Sequence, residues 1–190
     1  MEEDSDLIDV RRVLAGDLGG FEGIVRRWQA PLINLAYRFV RDRERAEDMA
    51  QEAFLRIFQQ LARFRGDSAF STWMFSVALN VYRSALRRRA IPAVPLDAIA
   101  ELVGRSAPQL ALEDAEREEL VRRAVAGLPP RYRDALTVFY FKEMDLAETA
   151  RILKVPEGTA KALLHRGRKL LHRTLGGLVS STPATREAHA

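Results

Sequence analysis

The 190 residues of the chain suffice for one medium domain or two small domains joined by a linker, and 47% of them are hydrophobic. The formal charge is +4, and the absence of cysteine excludes disulfides, thiolate catalysis and cysteine zinc sites. No stretch approaches the roughly 20 apolar residues of a membrane span. The acidic start is the opposite of a secretory signal, so we expect a cytoplasmic protein.

Charge is distributed unevenly along the chain. Residues 1–20 form an acidic N-terminal segment, whereas residues 83–89 and 151–173 are strongly basic. A polyanion responds to a local patch of charge more than to the net charge of the whole protein. The two basic segments therefore indicate nucleic acid as a candidate partner.

The first half, residues 21–90, has the apolar spacing of helices and no strict alternation of β-branched residues. Its clearest helix is DMAQEAFLRIFQQLARF. We expect one buried stripe on this helix, formed by Ala50, Ala53, Phe54, Ile57, Phe58 and Leu61. A second stripe sets one apolar residue among polar ones, and consists of Asp48, Gln51, Glu52, Leu55 and Gln59.

The segment FRGDSAF interrupts this helical pattern. Gly66, Asp67 and Ser68 favour a turn, because glycine permits left-handed backbone and the other two side chains bond their own main chain. The helical pattern then resumes through STWMFSVALNVYRSALRRR. We therefore predict two helices joined by a loop.

The composition changes between residues 91 and 115, where prolines and a glycine interrupt short apolar runs. We predict an interdomain linker there. A second helical domain is expected over 116–175, with the prolines of GLPPRYRDAL ending one helix and starting the next. The tail, 176–190, has too little apolar content to fold and is predicted to be disordered. The expected fold is all-α, with two small helical domains.

The second domain contains the pattern of a helix-turn-helix. In DLAETARIL, Asp145 is a candidate N-cap with Glu148 three residues later. One face of this short helix is expected to be buried through Leu146, Thr149, Ala150 and Leu153. Pro156 forces a turn and can occupy the first turn of the next helix. In a helix-turn-helix, that second helix enters the DNA major groove.

The second helix of this unit divides into an apolar and a basic side. The buried side is predicted to comprise Ala160, Leu163, Leu164, Leu170 and Leu171. The other side holds Thr159, Lys161, His165, Arg166, Arg168 and Lys169. Gly158 and Thr159 allow close approach of a phosphate to the helix start. Taken alone, this basic side is equally consistent with an ordinary solvated helix.

Both halves together resemble the extracytoplasmic function group of the sigma-70 family, over roughly residues 20–175. The first half resembles sigma region 2, in AEDMAQEAFLRIF and FRGDSAFSTWMFSVALNVYRSALRRR. The second half resembles region 4, in LPPRYRDALTVFYFKEMDLAETARILKVPEGTAKALLHRGRKLL. The resemblance implies a transcription initiation factor that directs core RNA polymerase to promoters by recognising their −35 and −10 elements and assisting promoter melting.

The resemblance also implies roles for individual residues. The residues matching the contact with the β′ clamp helices of polymerase are Asp48, Gln51, Glu52 and Phe54. Those matching the −10 interface are Arg65, Asp67, Ser68, Phe70, Trp73, Asn80, Arg83, Arg87 and Arg88. Those matching the −35 interface are Gly158, Thr159, Lys161, His165, Arg166, Arg168 and Lys169. Further implied partners are the polymerase β flap, promoter DNA and an anti-sigma factor, with no membrane insertion.

Two of these implications leave alternatives. A large aromatic after a loop, such as Trp73, is more often a core residue than a platform for a flipped base. Ala162 and Leu163 stand where many relatives carry serine and arginine, which removes potential DNA contacts. The −35 sequence preferred by this chain is therefore expected to be unusual, or to be read through phosphates and DNA shape.

Two other classes of function compete with this one. A free-standing repressor or activator would use the helix-turn-helix as a homodimer on a palindromic operator. An enzyme is disfavoured, because His165, His172 and His189 lack metal-ligand spacing with acids, and no glycine loop or nucleophile motif is present. No cofactor or metal is expected.

Overall fold

The computed structural model describes residues 2–88, 114–141 and 144–180 and confirms the predicted all-α fold. In chain order, the helices are α1 (Glu2–Leu14), α2 (Gly19–Val40), α3 (Arg43–Gln60), α4 (Phe70–Arg88), α5 (Asp114–Ala126), α6 (Pro130–Phe141), α7 (Leu146–Leu153) and α8 (Glu157–Ser180). A short 3-10 helix, Leu61–Arg63, follows α3. These three ranges contain no β-strand.

The chain divides into two compact units, each formed from two stretches of sequence. The first unit joins Met1–Ala90 to Thr137–Ala160, and the second joins Ile91–Leu136 to Lys161–Ala190. The packing therefore groups α7 with the first half of the chain, whereas the predicted boundaries place it in the second. Most of the predicted linker lies outside the described residues, and α5 begins at Asp114, just before the predicted end of that linker.

The core of the first unit is built on α2, which packs against α3 and α4. Ile24, Trp28 and Leu32 recur one turn apart on α2 and are buried. The Trp28 indole meets the Phe75 ring of α4 edge-on, with the centroids 5.7 Å apart. The Tyr82 hydroxyl of α4 donates a hydrogen bond to the Leu32 carbonyl at 3.0 Å, and burial raises the pKa of this phenol. Aromatic side chains thus join α2 to α4.

The stripe predicted on α3 is mostly confirmed. Ala50, Ala53, Ile57 and Leu61 are buried, and Asp42 caps the helix by accepting a hydrogen bond from the Arg45 amide. The prediction is wrong for Phe58, which is 42% exposed. Its ring lies at the edge of the unit against Phe21, which is itself only half-buried.

Helix α1 is attached to α2 through buried carboxylates. Asp6 accepts hydrogen bonds from the Trp28 indole at 3.0 Å and from Arg27 Nε at 3.0 Å. Asp9 accepts a hydrogen bond from Arg27 at 2.6 Å. Burial by itself would lower the pKa of Arg27, but the hydrogen bonds and charges of Asp6 and Asp9 outweigh burial and raise that pKa. A Cβ atom at Gly20 would lie 2.5 Å from the Asp9 carbonyl oxygen, so only glycine permits this approach of α1. Part of the acidic segment is therefore structural.

In the second unit, the prolines act as predicted. Helix α5 ends at Ala126 and α6 begins at Pro130, with the Pro129 carbonyl accepting a hydrogen bond from the Tyr132 amide at 2.9 Å. Gly167 of α8 lies against α6, since a Cβ atom there would be 3.2 Å from Leu136 Cδ1. A small residue is thus needed at this helix crossing.

The predicted disordered tail is wrong for residues 176–180, because α8 continues through Ser180. Extending an existing helix costs little compared with nucleating one, so a segment without a core of its own can continue a helix. The rest of that prediction, residues 181–190, lies outside the described residues, as does His189.

Candidate functional site

The turn between α7 and α8 has the geometry of a helix-turn-helix. Asp145 Oδ1 accepts a hydrogen bond from the Glu148 amide at 2.7 Å, which confirms the predicted N-cap. Helix α7 is followed by its cap residue Lys154, whose φ of 58° is left-handed, and the Val155 amide donates a hydrogen bond to the Ala150 carbonyl at 3.0 Å. This is the hydrogen bond of a Schellman closure, formed here without glycine.

Pro156 differs slightly from its predicted position. It immediately precedes α8, and its carbonyl oxygen accepts hydrogen bonds from the amides of Thr159 at 2.9 Å and Ala160 at 3.0 Å. Its carbonyl thus starts the hydrogen-bond ladder of α8. Thr149, Ala150 and Leu153 of α7 are buried as predicted, whereas Leu146 is half-buried.

Helix α8 has one buried side and one exposed side, as predicted. Ala160 and Leu164 are buried together with Gly167, and the remaining predicted apolar residues are half-buried. All the residues predicted at the −35 interface are exposed: Gly158, Thr159, Lys161, His165, Arg166, Arg168 and Lys169. His172 and Arg173 extend this exposed side toward the C-terminus. The result is a wide surface rich in basic side chains on a helix that starts immediately after a tight turn.

Helix α4 presents a much narrower surface. Ten of its 19 residues are buried, so little of its circumference remains accessible. Asn80, Arg87 and Arg88 are exposed, whereas Trp73 and Arg83 are half-buried. Arg87 also donates to the Ser84 hydroxyl at 3.1 Å. The residues predicted at the −10 interface of this helix therefore occupy most of what is accessible on it.

The FRGDSAF segment forms the predicted loop before α4. Gly66 has a φ of 77°, a left-handed value that glycine adopts without strain. Arg65 and Asp67 are exposed, and the half-buried Ser68 donates its hydroxyl to the Ala69 carbonyl at 3.3 Å. The exposed polar groups of this loop are thus available to a ligand.

Aromatic rings join the two ends of this loop. Phe70 packs against Phe64 at 5.4 Å and Trp73 at 5.8 Å between ring centroids, and its side chain is 0% exposed. Phe70 is therefore a core residue, and its place at the −10 interface stays a prediction. Trp73 remains half-buried, so it combines core packing with an accessible part. Phe64 was not singled out from the sequence, although its position at the start of the loop was a signal.

The second stripe of α3 is exposed. Asp48, Gln51 and Glu52 are accessible, and Leu55 is 65% exposed among them. Phe54, which was predicted to contact polymerase, is only 9% exposed and meets Phe21 edge-on at 6.4 Å. Phe54 thus belongs to the buried stripe, and its contact with polymerase stays a prediction. The exposed second stripe of α3 thus consists of four polar side chains, counting Gln59, and one leucine.

The surfaces of α3 and α4 adjoin each other. Arg88 donates a hydrogen bond to Glu52 Oε1 at 2.8 Å, which links a residue predicted at the −10 interface with one predicted to contact polymerase. A groove beside this ion pair is lined by residues of both helices, including Leu55 and Asn80. The two predicted surfaces are therefore continuous across α3 and α4.

Two other features are absent from the described residues. Among the described residues, no group of three or more histidine, aspartate or glutamate side chains is arranged to hold a metal ion. None of the helices in residues 2–88, 114–141 and 144–180 is long and apolar enough to cross a membrane.

Comparison with known proteins assigns the family. Residues 24–91 match the family model of sigma-70 region 2, and residues 118–171 match that of sigma-70 region 4. The chain is 32% identical to RNA polymerase sigma-H factor of Pseudomonas aeruginosa, over 94% of this chain and 96% of that protein. The chain belongs to the sigma-70 family. The sigma factor is also 31% identical to the ECF RNA polymerase sigma factor SigW of Bacillus subtilis, over 89% of this chain and 96% of that one.

Further relatives place this sigma factor in the extracytoplasmic function (ECF) group. It is 30% identical to the ECF RNA polymerase sigma-E factor of Escherichia coli K12, with 94% and 98% of the two chains covered. Its fold is shared with CnrH in complex with the cytosolic domain of CnrY, with a TM-score of 0.66 and 22% identity over 90% and 97% of the two chains. RpoE of Bartonella quintana, crystallised with the anti-sigma factor NepR, gives a TM-score of 0.59 and 20% identity over 82% and 96%.

The family match covers the residues predicted to contact polymerase and those predicted to contact the −10 and −35 elements. Helices α3 and α4 lie within the match to region 2, and α7 and most of α8 lie within the match to region 4. The sigma factor is therefore a transcription initiation factor, as its resemblance implies, and not a free-standing repressor or activator.

Proposed function

We propose that this sigma factor binds core RNA polymerase through the exposed stripe of α3 and contacts promoter DNA through α4 and α8. In this arrangement, α8 lies on the −35 duplex and α4, with the FRGDSAF loop, lies where the −10 strands separate. The protein has no reaction of its own and acts in the cytoplasm. Region 4 also contacts the β flap of polymerase.

The observation that carries this proposal is the exposed stripe of α3. Asp48, Gln51 and Glu52 precede Leu55 on this stripe and Gln59 follows it, and the Leu55 side chain is 65% exposed. An exposed leucine ringed by polar groups has the composition of a small protein–protein contact, with an apolar centre and a polar rim. The Glu52–Arg88 ion pair brings this contact next to α4. Polymerase bound to α3 would therefore lie beside the strand separated at α4.

The DNA part of the proposal is supported by the charge of α8. Arg166 and Lys169 are exposed on the same side of the helix, one turn apart. Phosphate contacts by such residues supply much of the affinity for DNA and fix the position of the protein, while the helix start approaches the base edges. Because relatives carry serine and arginine where this chain has Ala162 and Leu163, phosphates carry a larger share of the contact.

An anti-sigma factor is proposed as the regulatory partner. RpoE of Bartonella quintana, which shares this fold, is found in complex with the anti-sigma factor NepR. We extend that kind of partner to this sigma factor.

The decisive experiment measures binding of the protein to purified bacterial core RNA polymerase. We expect tight binding by the wild type, and at least about tenfold weaker binding by the Gln51→Ala, Glu52→Ala variant if these side chains lie in the contact. A matched control is Glu22→Ala, Arg26→Ala, which removes an exposed ion pair from α2. The control should bind like the wild type. Absence of binding by the folded wild-type protein would overturn the proposal.

A further inference from the structure

The turn after α7 holds a lysine in a backbone conformation that favours glycine. Lys154 has a φ of 58° and a ψ of 46°, in the left-handed region. Its amide donates hydrogen bonds to the carbonyls of Ala150 and Arg151, and the Val155 amide also donates to Ala150, so the closure of α7 fixes this conformation. A residue with a Cβ atom is strained in the left-handed region, whereas glycine occupies it freely. Lysine at this position therefore costs stability that glycine would not.

The Lys154 side chain does not offset this cost through contacts with the described part of the chain. It is exposed, and it forms no hydrogen bond or ion pair with any other described residue. The helix dipole favours a cation at the C-terminal end of a helix, but this interaction is small at an exposed position. The ammonium group of Lys154 is thus free to meet an external anion.

A second left-handed residue provides a comparison. Among the described residues, the non-glycine residues with a positive φ are Lys154 and Arg41, which follows α2 with a φ of 56°. Both are exposed cations that close a helix, so the helix dipole favours both. The Arg41 guanidinium lies over the Tyr37 ring, 5.7 Å from its centroid, which gives its side chain a partner. Lys154 lacks an equivalent contact with the described residues and lies instead in the turn of the helix-turn-helix.

The place of Lys154 in the helix-turn-helix puts it on the side of the DNA backbone. In such a unit, the second helix enters the major groove with its first residues at the base edges, while the first helix crosses the backbone. Lys154 caps the first helix, α7, and α8 begins three residues later at Glu157. Arg151, one turn earlier on α7, is also exposed, so the end of α7 carries two accessible cations. A phosphate beside the groove is the anion that this position would meet.

We propose that Lys154 binds a phosphate of the −35 duplex beside the groove that α8 enters, and that this contact accounts for a lysine at a left-handed position. This role rests on the proposed function, because it requires α8 to lie on the −35 duplex. A phosphate contact carries no sequence information, but it fixes the position of the protein on the duplex. Lys154 is thus a positioning residue for α8.

The first measurement tests the cost of the left-handed lysine. Lys154→Gly should raise the midpoint of thermal unfolding by about 2–4 °C, because it relieves the strain. Lys154→Arg keeps both the charge and the strain, so its midpoint should lie within about 1 °C of the wild type. A midpoint for Lys154→Gly below that of the wild type would overturn the cost on which the role of Lys154 depends.

The second measurement tests the phosphate contact in the complex with core polymerase. The probe is a duplex selected from a randomised pool for binding by the wild-type sigma factor with purified core polymerase. Lys154→Gly should bind it about fivefold more weakly at ~0.15 M salt, with the slope of log K against log salt reduced by about one. Lys154→Arg should bind like the wild type. The matched control Arg41→Gly, which removes an exposed cation from the other left-handed position, should also bind like the wild type.

Neutral substitutions in the DNA backbone locate the contact. A methylphosphonate replaces one phosphate charge at a time across the upstream half of the selected duplex. At the contacted phosphate, this change should weaken binding by the wild type about fivefold and leave binding by Lys154→Gly unaffected, because the variant has already lost that contact. Absence of any position that distinguishes the two proteins would overturn the phosphate contact and assign weaker binding to a more flexible turn.

Failure of this role and failure of the proposed function are distinguishable. If Arg166→Glu, Lys169→Glu weakens binding to the selected duplex and Lys154→Gly does not, Lys154 is not a phosphate contact while α8 still lies on DNA. If the wild-type sigma factor does not bind core polymerase, or selects no duplex with it, the proposed function is overturned and Lys154 has no duplex to contact.

Discussion

Helices α4 and α8 are both proposed to contact DNA, but they differ in how much of each is buried. On α4, ten of 19 residues are buried, and the accessible part is a narrow strip that includes Asn80 and Arg87. On α8, the buried residues lie on one side, and the wide exposed side carries Arg166 and Lys169. DNA contact and stability are therefore closely linked on α4 and separable on α8.

The difference has a physical cause in the neighbours of α4. It packs against α2 and α3 as well as α7, so most directions around the helix point into protein. A helix buried in most directions tolerates few substitutions, because interiors are close-packed.

The largest effect is expected for Phe75→Ala on α4. The Phe75 side chain is 1% exposed and contacts both Trp28 and Phe141, so its removal leaves a cavity among aromatic rings. We expect a loss of about 3–5 kcal/mol in the free energy of unfolding, measured by chemical denaturation. Asn80→Ala on the exposed strip is the control, with a change within about 0.5 kcal/mol. Equal losses for the two variants would contradict the contrast between strip and core.

On α8, reversing the charge of two exposed residues should weaken DNA binding and leave the stability of the fold unchanged. The Arg166→Glu, Lys169→Glu variant should unfold within about 0.5 kcal/mol of the wild type, because both side chains are exposed. Binding of the polymerase complex to promoter DNA should weaken by at least about tenfold, with the salt slope reduced by about two.

The matched control for this charge reversal is Arg11→Glu, Arg43→Glu. It makes the same change in charge at exposed positions of α1 and α3, outside the predicted DNA surfaces. Equal weakening of promoter binding by the control would assign the effect to net charge and refute a specific role of α8.

The information carried by sequence periodicity explains which core residues were predicted correctly and which were not. It located Ala50, Ala53 and Ile57 in the core, because an apolar stripe with helical spacing must face a neighbour. Periodicity does not show where that stripe reaches the edge of the unit, so Phe58 was misplaced. Periodicity placed Phe54 on the buried stripe, where it is found, whereas its contact with polymerase was implied by the resemblance alone.

Other features depend on contacts that are distant in the sequence. Asp6 and Asp9 are buried only because Arg27 and Trp28 lie opposite them, and a pattern based on hydrophobicity treats carboxylates as surface. Similarly, nothing near Phe141 in the sequence identifies Phe75 as its neighbour. The basic side of α8 was predictable because it requires no partner within the chain.

A smaller effect is expected for Tyr82→Phe, which removes the hydrogen bond to the Leu32 carbonyl on the buried side of α4. The cost should be about 1 kcal/mol at neutral pH. Burial raises the pKa of Tyr82, so the folded state holds this proton more tightly than the unfolded chain. The resulting stability is fully present below the unfolded pKa of about 10 and is lost as the pH rises above it.

Denaturation of both proteins between neutral pH and pH 11 checks this sign. The difference in stability between wild type and Tyr82→Phe should shrink as the pH rises through about 10. A difference that stays constant over this range would mean that Tyr82 has the same pKa in the folded and unfolded states, which would contradict the prediction.

The smallest effect compares two glycines on opposite sides of α8. A Cβ atom at Gly158 would meet nothing within 4 Å, whereas one at Gly167 would lie 3.2 Å from Leu136 Cδ1. Gly158→Ala should therefore gain about 0.5 kcal/mol from helix propensity, and Gly167→Ala should lose part of that gain to crowding. Thermal unfolding measures both. If Gly158 allows DNA to approach the helix start, its alanine variant should be more stable yet weaker in promoter binding, which separates a glycine required for contact from one required for packing.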